Sequence, residues 1–501
     1  MIRMDNVSFT YAGVDRPSVT GIDLEIPSGQ TVLLCGRSGC GKTTVTRLVN
    51  GLAPHFHDGE LSGSVSVAGI DVAATPLYGL AGTVGSVFQN PRSQFFNVDT
   101  TSELAFGPEN LGRSRTDIEA AVGSVADELD LHRLLGRSIF QLSGGEKQRI
   151  ACGSVAALRP PVIVLDEPTS NLDFAGIALL RRCLEHWKAA GRTVVVAEHR
   201  LHFLTGLADR AIVLENGRIA DDIAGDDFFS RPPAWFRARG LRQPSLAKLD
   251  WHDSSATVPV QESLGLSGLR YRYRGSKQLA LDVDGRGLPG GVICVIGENG
   301  AGKTTLARTL CGLDRRGHGT VEFRGRQLTR RRRLRETALV MQDVDRQLFT
   351  ESVLDEVVLS MTDGSSKYLD GAAAGDVEGR ALGLLATLDL ADCRDRHPLS
   401  LSGGQKQRLA IASALAAGRQ LVVFDEPTSG LDYDHMKTMA AEIRRLHDDH
   451  GVTSVVVTHD PEFIAACGTY VLHVDGGRIV DDYPMDDDGR RRLTAHFAAA
   501  S

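Results

Sequence analysis

The sequence lacks paired cysteines, a signal region, a long apolar run and an excess of positive charge. Its eight cysteines form no CxxC pair and lie mostly in apolar runs, which argues against a zinc site and a disulfide framework. Residues 1–5 show no apolar signal region, and no stretch approaches the roughly 20 apolar residues of a membrane-spanning helix. The net charge of −7 does not favour nucleic-acid binding through bulk charge. These absences favour a folded protein of a reducing, cytoplasmic compartment, which would reach a membrane only through other subunits.

What the sequence does contain is a phosphate-binding motif in two copies. GRSGCGKT and GENGAGKT each follow a strand-like apolar run and precede a helix-like run. Their glycines let backbone N–H groups surround a phosphate, the lysine reaches the terminal phosphates, and the threonine hydroxyl binds magnesium. The sequence therefore predicts two nucleoside triphosphate sites, formed by Gly36, Ser38, Gly39, Cys40, Gly41, Lys42, Thr43 and Thr44, and by Gly297, Asn299, Gly300, Ala301, Gly302, Lys303, Thr304 and Thr305.

The two copies belong to a longer internal repeat. Lys303 lies 261 residues after Lys42, and three further motifs recur at offsets of 259 or 260 residues. Within each copy, apolar strand-like runs alternate with helical patterns, which favours a parallel sheet covered by helices. We predict domains at residues 1–225 and 263–485, an irregular linker at 226–262 and a frayed tail at 486–501.

Each copy places acidic and polar residues after strand-like runs. The acid pairs Asp166-Glu167 and Asp425-Glu426 suit a magnesium ligand followed by a general base, although paired carboxylates also cap strands in ordinary surfaces. Gln89 and Gln342 recur as candidate magnesium or water ligands. One histidine follows a further strand in each copy; a lone histidine is more often structural, but this one recurs in position. These histidines are His199 and His459.

Two further motifs recur. LSGG turns at Ser143–Gly145 and Ser402–Gly404 open helical runs and present free N–H groups, either as phosphate contacts or as plain helix caps. Tyr11 and Tyr273 end strand-like runs in the same way, and each either stacks on an adenine ring or packs as an ordinary edge aromatic.

Three local features lead to further expectations. Cys40 lies near Lys42 and a helix N-terminus, so we expect a reactive thiolate there. Trp235 and Phe236 interrupt the linker, and either strap their own module or dock on a neighbour. The arginine run 330–333 with Arg335 meets acidic lipid or RNA, or is a solvated helix face.

In this order and in duplicate, the phosphate loop, glutamine loop, LSGG signature, Asp-Glu strand end and histidine resemble those of ATP-binding cassette (ABC) ATPases. The resemblance implies an α/β fold of two tandem P-loop nucleotide-binding domains, each with a parallel sheet flanked by helices, an antiparallel β subdomain and a helical signature subdomain. FQNPRSQFF at 88–96 and ELAFGPEN at 103–110 are similar to the ATPases of energy-coupling-factor and cobalt-type importers.

The resemblance also implies two ATP and Mg²⁺ sites, each closed by the signature of the other domain. Glu167, Glu426, His199 and His459 would be catalytic, and the magnesium ligands would be Thr43, Gln89, Asp166, Thr304, Gln342 and Asp425. The signature residues Ser143, Gly144, Gly145, Ser402, Gly403 and Gly404 would contact the nucleotide, as would Tyr11 and Tyr273, with Asp173 and Asp432 nearby.

The expected function is that of an importer motor: an ATPase on the inner face of the cell membrane, coupled to a transmembrane subunit and a small substrate-capture protein, with no nucleic-acid partner. A thiamine precursor, another vitamin and a metal ion remain open as substrates. Two alternatives stay open, a soluble ABC ATPase acting on the ribosome or translation, and the paired ATPase of a monosaccharide importer.

Overall fold

The structure is a computed structural model that describes residues 1–89, 93–170, 172–246, 249–252, 262–276, 278–362 and 372–500. The chain divides into two compact units, one formed by residues 1–248, 430–434 and 496–501 and the other by residues 249–429 and 435–495. Among the residues described, every helix is too short or too polar to span a bilayer.

The first unit contains two sheets. Its strands are β1 (Ile2–Tyr11), β2 (Val19–Ile26), β3 (Thr31–Gly36), β4 (Gly59–Val67), β5 (Ile70–Asp71), β6 (Val84–Val87), β7 (Val162–Asp166), β8 (Thr193–Ala197), β9 (Arg210–Glu215) and β10 (Arg218–Ala224). The six-stranded sheet has the order β10-β9-β3-β8-β7-β6 and is parallel except for β10, while β2-β1-β4-β5 form an antiparallel sheet.

The parallel strands are short, β-branched and almost fully buried, as expected for strands covered on both faces. The carboxyl ends of β3, β8, β7 and β6 therefore meet at one edge of the sheet. The helices of this part of the chain are α1 (Lys42–Val49), α2 (Leu52–His55), α3 (Leu77–Leu80), α4 (Thr100–Asn110), α5 (Arg115–Glu128), α6 (Gly144–Ala157), α7 (Phe174–Ala189), α8 (Gly225–Phe229) and α9 (Pro233–Ala238).

The second unit repeats this plan. Its parallel sheet has the order β17-β18-β19-β14-β20-β21 with β21 antiparallel, and β12-β11-β15-β16 form an antiparallel sheet in which β13 also pairs with β11. The strands are β11 (Glu262–Tyr271), β12 (Leu281–Val283), β13 (Arg286–Pro289), β14 (Val292–Ile296), β15 (His318–Phe323), β16 (Arg326–Leu328), β17 (Thr337–Val340), β18 (Leu421–Asp425), β19 (Thr453–Val457), β20 (Tyr470–Asp475) and β21 (Arg478–Pro484).

The remaining helices complete the second repeat. They are α10 (Lys303–Leu310), α11 (Arg330–Glu336), α12 (Val353–Met361), α13 (Ala372–Thr387), α14 (Gly403–Ala416), α15 (Tyr433–Asp448), α16 (Pro461–Cys467) and α17 (Asp487–Ala500). The fold is therefore α/β, with two parallel sheets that each carry the strand order of a P-loop nucleotide-binding domain.

The segments expected to be irregular are partly ordered. Within the segment 226–262, Phe228 and Phe236 are fully buried in the core of the first unit, where Trp235 packs edge-on against both rings. The first part of this segment is therefore a strap over its own module, while residues 247–248 and 253–261 lie outside the described residues. The tail is helical instead of frayed, because α17 buries Leu493 and Phe497.

Two candidate nucleotide sites

The first phosphate loop joins β3 to α1 in a conformation that needs glycine. Gly41 has φ +105°, and a Cβ there would lie 2.8 Å from the carbonyl oxygen of Ser18. Lys42 Nζ donates to the carbonyl oxygens of Gly36 and Arg37 at 2.9 and 3.0 Å. The loop borders a cavity of about 210 Å³. Its lining combines hydroxyl, backbone and charged groups, as an anionic ligand requires, and consists of Ser18, Ser38, Gly39, Gly41, Lys42, Thr43, Thr44 and Glu167.

Oxygen donors converge at the foot of this loop. Thr43 Oγ1 donates to Asp166 Oδ1 at 3.1 Å, which joins the start of α1 to the end of β7. Burial, with the neighbouring Glu167 charge, raises the pKa of Asp166 to about 6. A half-buried carboxylate beside a hydroxyl is a hard-oxygen donor set that fits Mg²⁺, whose charge would favour the ionised acid.

Glu167 lies between two other predicted site residues. Gln89 Nε2 donates to Glu167 Oε2 at 2.7 Å, and His199 Nε2 lies 3.4 Å from Glu167 Oε1. Glu167 itself has φ +45°, a backbone conformation that non-glycine residues seldom adopt. Its backbone N–H is fixed by the carbonyl oxygen of Ala197 at 2.8 Å. Strands β6, β7 and β8 thus bring the glutamine, glutamate and histidine together.

The second unit reproduces this geometry. Lys303 Nζ donates to the carbonyl oxygens of Gly297 and Glu298, both at 2.8 Å, and Thr304 Oγ1 donates to Asp425 Oδ1 at 3.2 Å. Burial raises the pKa of Asp425.

The acid and histidine of the second unit are also paired. His459 Nε2 lies 3.3 Å from Glu426 Oε1, and Glu426 has φ +53°. Gln342 is exposed just beyond β17. Every predicted site motif is therefore present in both units.

Each LSGG turn forms a helix N-terminus whose side-chain and backbone groups hydrogen-bond to each other. Ser143 and Glu146 form a reciprocal capping box at the start of α6, and Ser402 and Gln405 form the equivalent box at α14. Ser143, Gly144, Ser402 and Gly403 are exposed, while Gly145 and Gly404 are half-buried. The turns are consequently fixed in shape, with their outer surface accessible.

Both aspartates of the Leu-Asp loops are buried and accept backbone hydrogen bonds. Asp173 caps α7 by accepting from Gly176 N at 2.8 Å. Asp432, which belongs to the first unit, accepts from Ser38 N at 2.7 Å.

The two predicted aromatic residues differ from each other. Tyr11 is the last residue of β1, and its hydroxyl lies 3.3 Å from Thr44 Oγ1. Tyr273 instead lies two residues beyond β11, so the expectation that both residues end their strands is wrong. The ring of Tyr273 is half exposed, and its hydroxyl lies 2.9 Å from Thr305 Oγ1. Each tyrosine hydroxyl is thus held by the helix that follows a phosphate loop.

The expected reactive thiolate at Cys40 is also wrong. The side chain is buried at 4% exposure, and this burial raises the pKa of the Cys40 thiol although Lys42 Nζ lies 3.8 Å from Sγ. Desolvation of the charged form outweighs attraction to the lysine. Cys40 packs beneath Gly36, where a Cβ would lie 2.6 Å from Sγ.

Glu198 is a site residue that the sequence motifs did not reveal. It is 2% exposed, and its carboxylate accepts from Thr169 N and Oγ1 at 3.1 and 2.7 Å and from His199 N at 2.7 Å. The carboxylate thereby connects the segment after Glu167 to the segment that contains His199.

The second unit has Thr458 in place of Glu198, and there Thr428 Oγ1 is buried with no hydrogen-bond partner among the described residues. In the sequence, this difference is visible where Glu198-His199 in the first copy is replaced by Thr458-His459 in the second.

Comparison with known proteins agrees with this geometry. The sequence matches the family described as ABC transporter over residues 19–170 and 282–429, more than half of the chain. A Treponema denticola protein whose provisional name is ABC transporter ATP-binding protein is 43% identical, with 96% of this chain and 97% of the relative covered. A Methanosarcina acetivorans relative with the same provisional name is 32% identical, with coverage of 96% and 86%.

Among solved structures, the RNase-L Inhibitor is similar with a TM-score of 0.62 at 22% identity, covering 98% of this chain and 92% of its own. An archaeal ribosome recycling factor, solved with a ribosomal stalk protein, has a TM-score of 0.61 at 21% identity, with coverage of 96% and 90%. These likenesses concern the fold alone. The chain belongs to the ABC transporter family and is an ABC ATPase with two fused nucleotide-binding domains that use ATP and Mg²⁺.

Proposed function

We propose that this ATPase is the motor subunit of an energy-coupling-factor type importer for a vitamin or a metal ion. Glu167 and Glu426 are assigned as general bases that polarise the attacking water, because each directly follows an inner strand of the parallel sheet and lies within 3.4 Å of a histidine. Lys42 and Lys303 bind the terminal phosphates, and the signature turns complete the sites, as the resemblance implies.

The proposed chemistry is mainly positioning and charge stabilisation. The magnesium ion neutralises charge on the phosphates when bound, and Thr43 with Asp166 would hold it in the first site. Gln89 and His199 each contact Glu167, so they fix its two oxygens and orient the base toward the water. The tyrosines and signature residues contribute binding contacts in this proposal.

The observation that carries the transport assignment is an exposed phenylalanine presented in the same way by each unit. Phe96 is 74% exposed and Phe349 is 78% exposed. A buried glutamate shapes each loop: Glu103 Oε2 accepts from Phe96 N at 3.1 Å, and Glu356 Oε2 accepts from Phe349 N at 3.0 Å. Each buried glutamate thus fixes the backbone of a loop that exposes an apolar ring to solvent. The recurrence of this arrangement in both units favours a surface that binds a partner. These loops are the segments where the family resemblance implies that a membrane subunit docks.

The names of the relatives support transport, whereas the likeness to ribosome-associated proteins is a likeness of fold. The decisive experiment is purification of the tagged protein from solubilised membranes of its own host. A polytopic membrane protein together with a small integral one is the expected result, and would place the chain on the inner face of the membrane.

Ribosomes in place of membrane proteins would establish the soluble alternative. The double variant Phe96→Ser/Phe349→Ser should lose the membrane partners while keeping basal ATPase activity. Retention of those partners by the double variant would contradict the docking assignment.

A further inference from the structure

Five exposed arginines form a basic patch on the second unit, which we call the arginine patch. Three are on α11 and two lie in the loop after α10. Gly312 joins these elements, because a Cβ there would lie 3.0 Å from Arg333 Cβ, and buried Arg333 donates to the Thr309 carbonyl oxygen at 2.7 Å. The patch consists of Arg315, Arg316, Arg331, Arg332 and Arg335.

The charge of this patch is not neutralised from within. Among the residues that the structure describes, no carboxylate forms an ion pair with any of the five guanidinium groups. The nearby Asp314 is buried and bound to Arg308 at 3.1 Å. Most other exposed arginines of the second unit are paired, as Arg270 is with Asp282 at 3.0 Å. A concentration of unpaired positive charge on a chain of net charge −7 requires a reason beyond solubility.

The first unit provides a comparison. The segment between β5 and β6, which contains α3, corresponds to the segment between β16 and β17 that contains α11. Residues 72–83 there include no lysine or arginine, and the exposed large side chain of this segment is the aromatic Tyr78, at 82%. The patch is therefore a property of the second copy and not a requirement of the shared fold.

Two leucines distinguish between possible anionic partners. Leu313 and Leu334 are 41% and 39% exposed within the same surface. Leucine beside arginine suits the headgroup boundary of a bilayer, where apolar side chains enter and guanidinium groups meet phosphates. RNA surfaces would favour aromatic side chains for stacking, and the patch has none.

We propose that the arginine patch binds anionic phospholipid headgroups directly, so that the second unit contacts the bilayer surface independently of any protein subunit. This contact needs no nucleotide and does not depend on the importer assignment.

The test is flotation of the purified full-length chain with vesicles of phosphatidylcholine containing phosphatidylglycerol. The triple variant Arg331→Ala/Arg332→Ala/Arg335→Ala should lower the partition coefficient on the order of 100-fold, since each basic residue contributes about fivefold. A matched control, Arg115→Ala/Arg478→Ala/Arg491→Ala, removes the same charge from exposed arginines that are already ion-paired. It should retain most of the binding, and salt near 0.5 M should weaken binding by the parent protein.

An equal loss of vesicle binding in both triple variants would overturn the proposal, because it would show that binding depends on the net charge of the protein and not on the arginine patch. Leu334→Ser should reduce partition several-fold, and an unchanged value would overturn the assignment to a lipid surface. A structured RNA is the remaining probe. The patch would be assigned to nucleic acid if the parent protein bound this RNA tightly without binding vesicles, and if only the Arg331/Arg332/Arg335 variant lost the RNA binding.

Discussion

His199 Nε2 lies 3.4 Å from Glu167 Oε1, and the same two side-chain types meet at 3.3 Å in the second unit through His459 and Glu426. Both glutamates have positive φ, so the pairing depends on a backbone conformation that has been kept in both copies. In each repeat, a residue with positive φ directly follows an inner strand of the parallel sheet and thereby places its carboxylate beside the histidine.

Replacing both glutamates should separate binding from hydrolysis. Glu167→Gln/Glu426→Gln keeps side-chain size and removes the base, so we expect ATP affinity near that of the parent and turnover reduced about 10² to 10⁴-fold. Equilibrium binding of a fluorescent ATP analogue and steady-state phosphate release measure the two effects. Near-normal hydrolysis in the double variant would refute the assignment of the base.

The raised pKa of Asp166 predicts that replacing this acid by its amide stabilises the magnesium-free protein but removes activity at the first site. Its folded pKa of about 6 exceeds the ordinary value of 3.8, so the folded protein binds more protons between these values and loses stability as pH rises through that window. Asp166→Asn should raise the unfolding free energy of the magnesium-free protein at neutral pH, by up to about 3 kcal/mol.

The same substitution should abolish magnesium-dependent turnover at the first site, because an amide cannot supply the charge. In the parent protein, protons and magnesium compete for the Asp166 carboxylate, so lowering the pH through about 6 should raise the magnesium concentration that gives half-maximal turnover. Urea denaturation midpoints and phosphate release measure these effects, and Asp425→Asn should change both in the same direction. A destabilised magnesium-free Asp166→Asn variant would contradict the cause assigned to the shift.

Cys40 should be unreactive and replaceable. Its thiol is buried and its pKa is raised, so alkylation at neutral pH should be much slower than that of a free thiol. Cys40→Ala copies Ala301 of the second loop and should keep turnover within about twofold, since both side chains are small and buried. Mass spectrometry of labelled peptides and a turnover assay decide the matter, and rapid labelling of Cys40 in the folded protein would overturn the burial argument.

Glu198→Thr should impair the first site only. The substitution copies Thr458 of the second unit but removes a buried acceptor of four hydrogen bonds, from Thr169, His199 and Arg200, a loss of about 1–3 kcal/mol. In a Glu426→Gln background, which leaves the first site as the active one, kcat should fall about tenfold with little change in KM.

A Glu167→Gln background supplies the matched control, because there the remaining turnover belongs to the second site and should not respond. Glu198→Gln, which retains an acceptor oxygen, should recover part of the loss. A similar fall in both backgrounds would mean that Glu198 stabilises the whole protein instead of the first site.

The parts of this protein that sequence could predict are those set by local chemistry. The phosphate loops followed from glycine spacing, and the strand ends at Asp166 and Asp425 followed from β-branched runs that can only be buried. Cys40 could not be predicted, because its burial depends on packing beneath Gly36. Phe236 was expected either to strap its own module or to dock on a neighbour, and the sequence could not decide between the two. Phe228 was missed as a core residue, because a segment without periodicity does not indicate which distant surface it packs against.

Phe497 packs against Phe174 with ring centroids 4.6 Å apart, and both side chains are buried. During synthesis, Phe174 can contact Phe497 only after roughly 320 further residues have been added, which takes on the order of 15–60 s at about 5–20 residues per second. The first domain therefore leaves the ribosome with the face of Phe174 that contacts Phe497 uncovered, and during this interval a chaperone could bind that aromatic side chain.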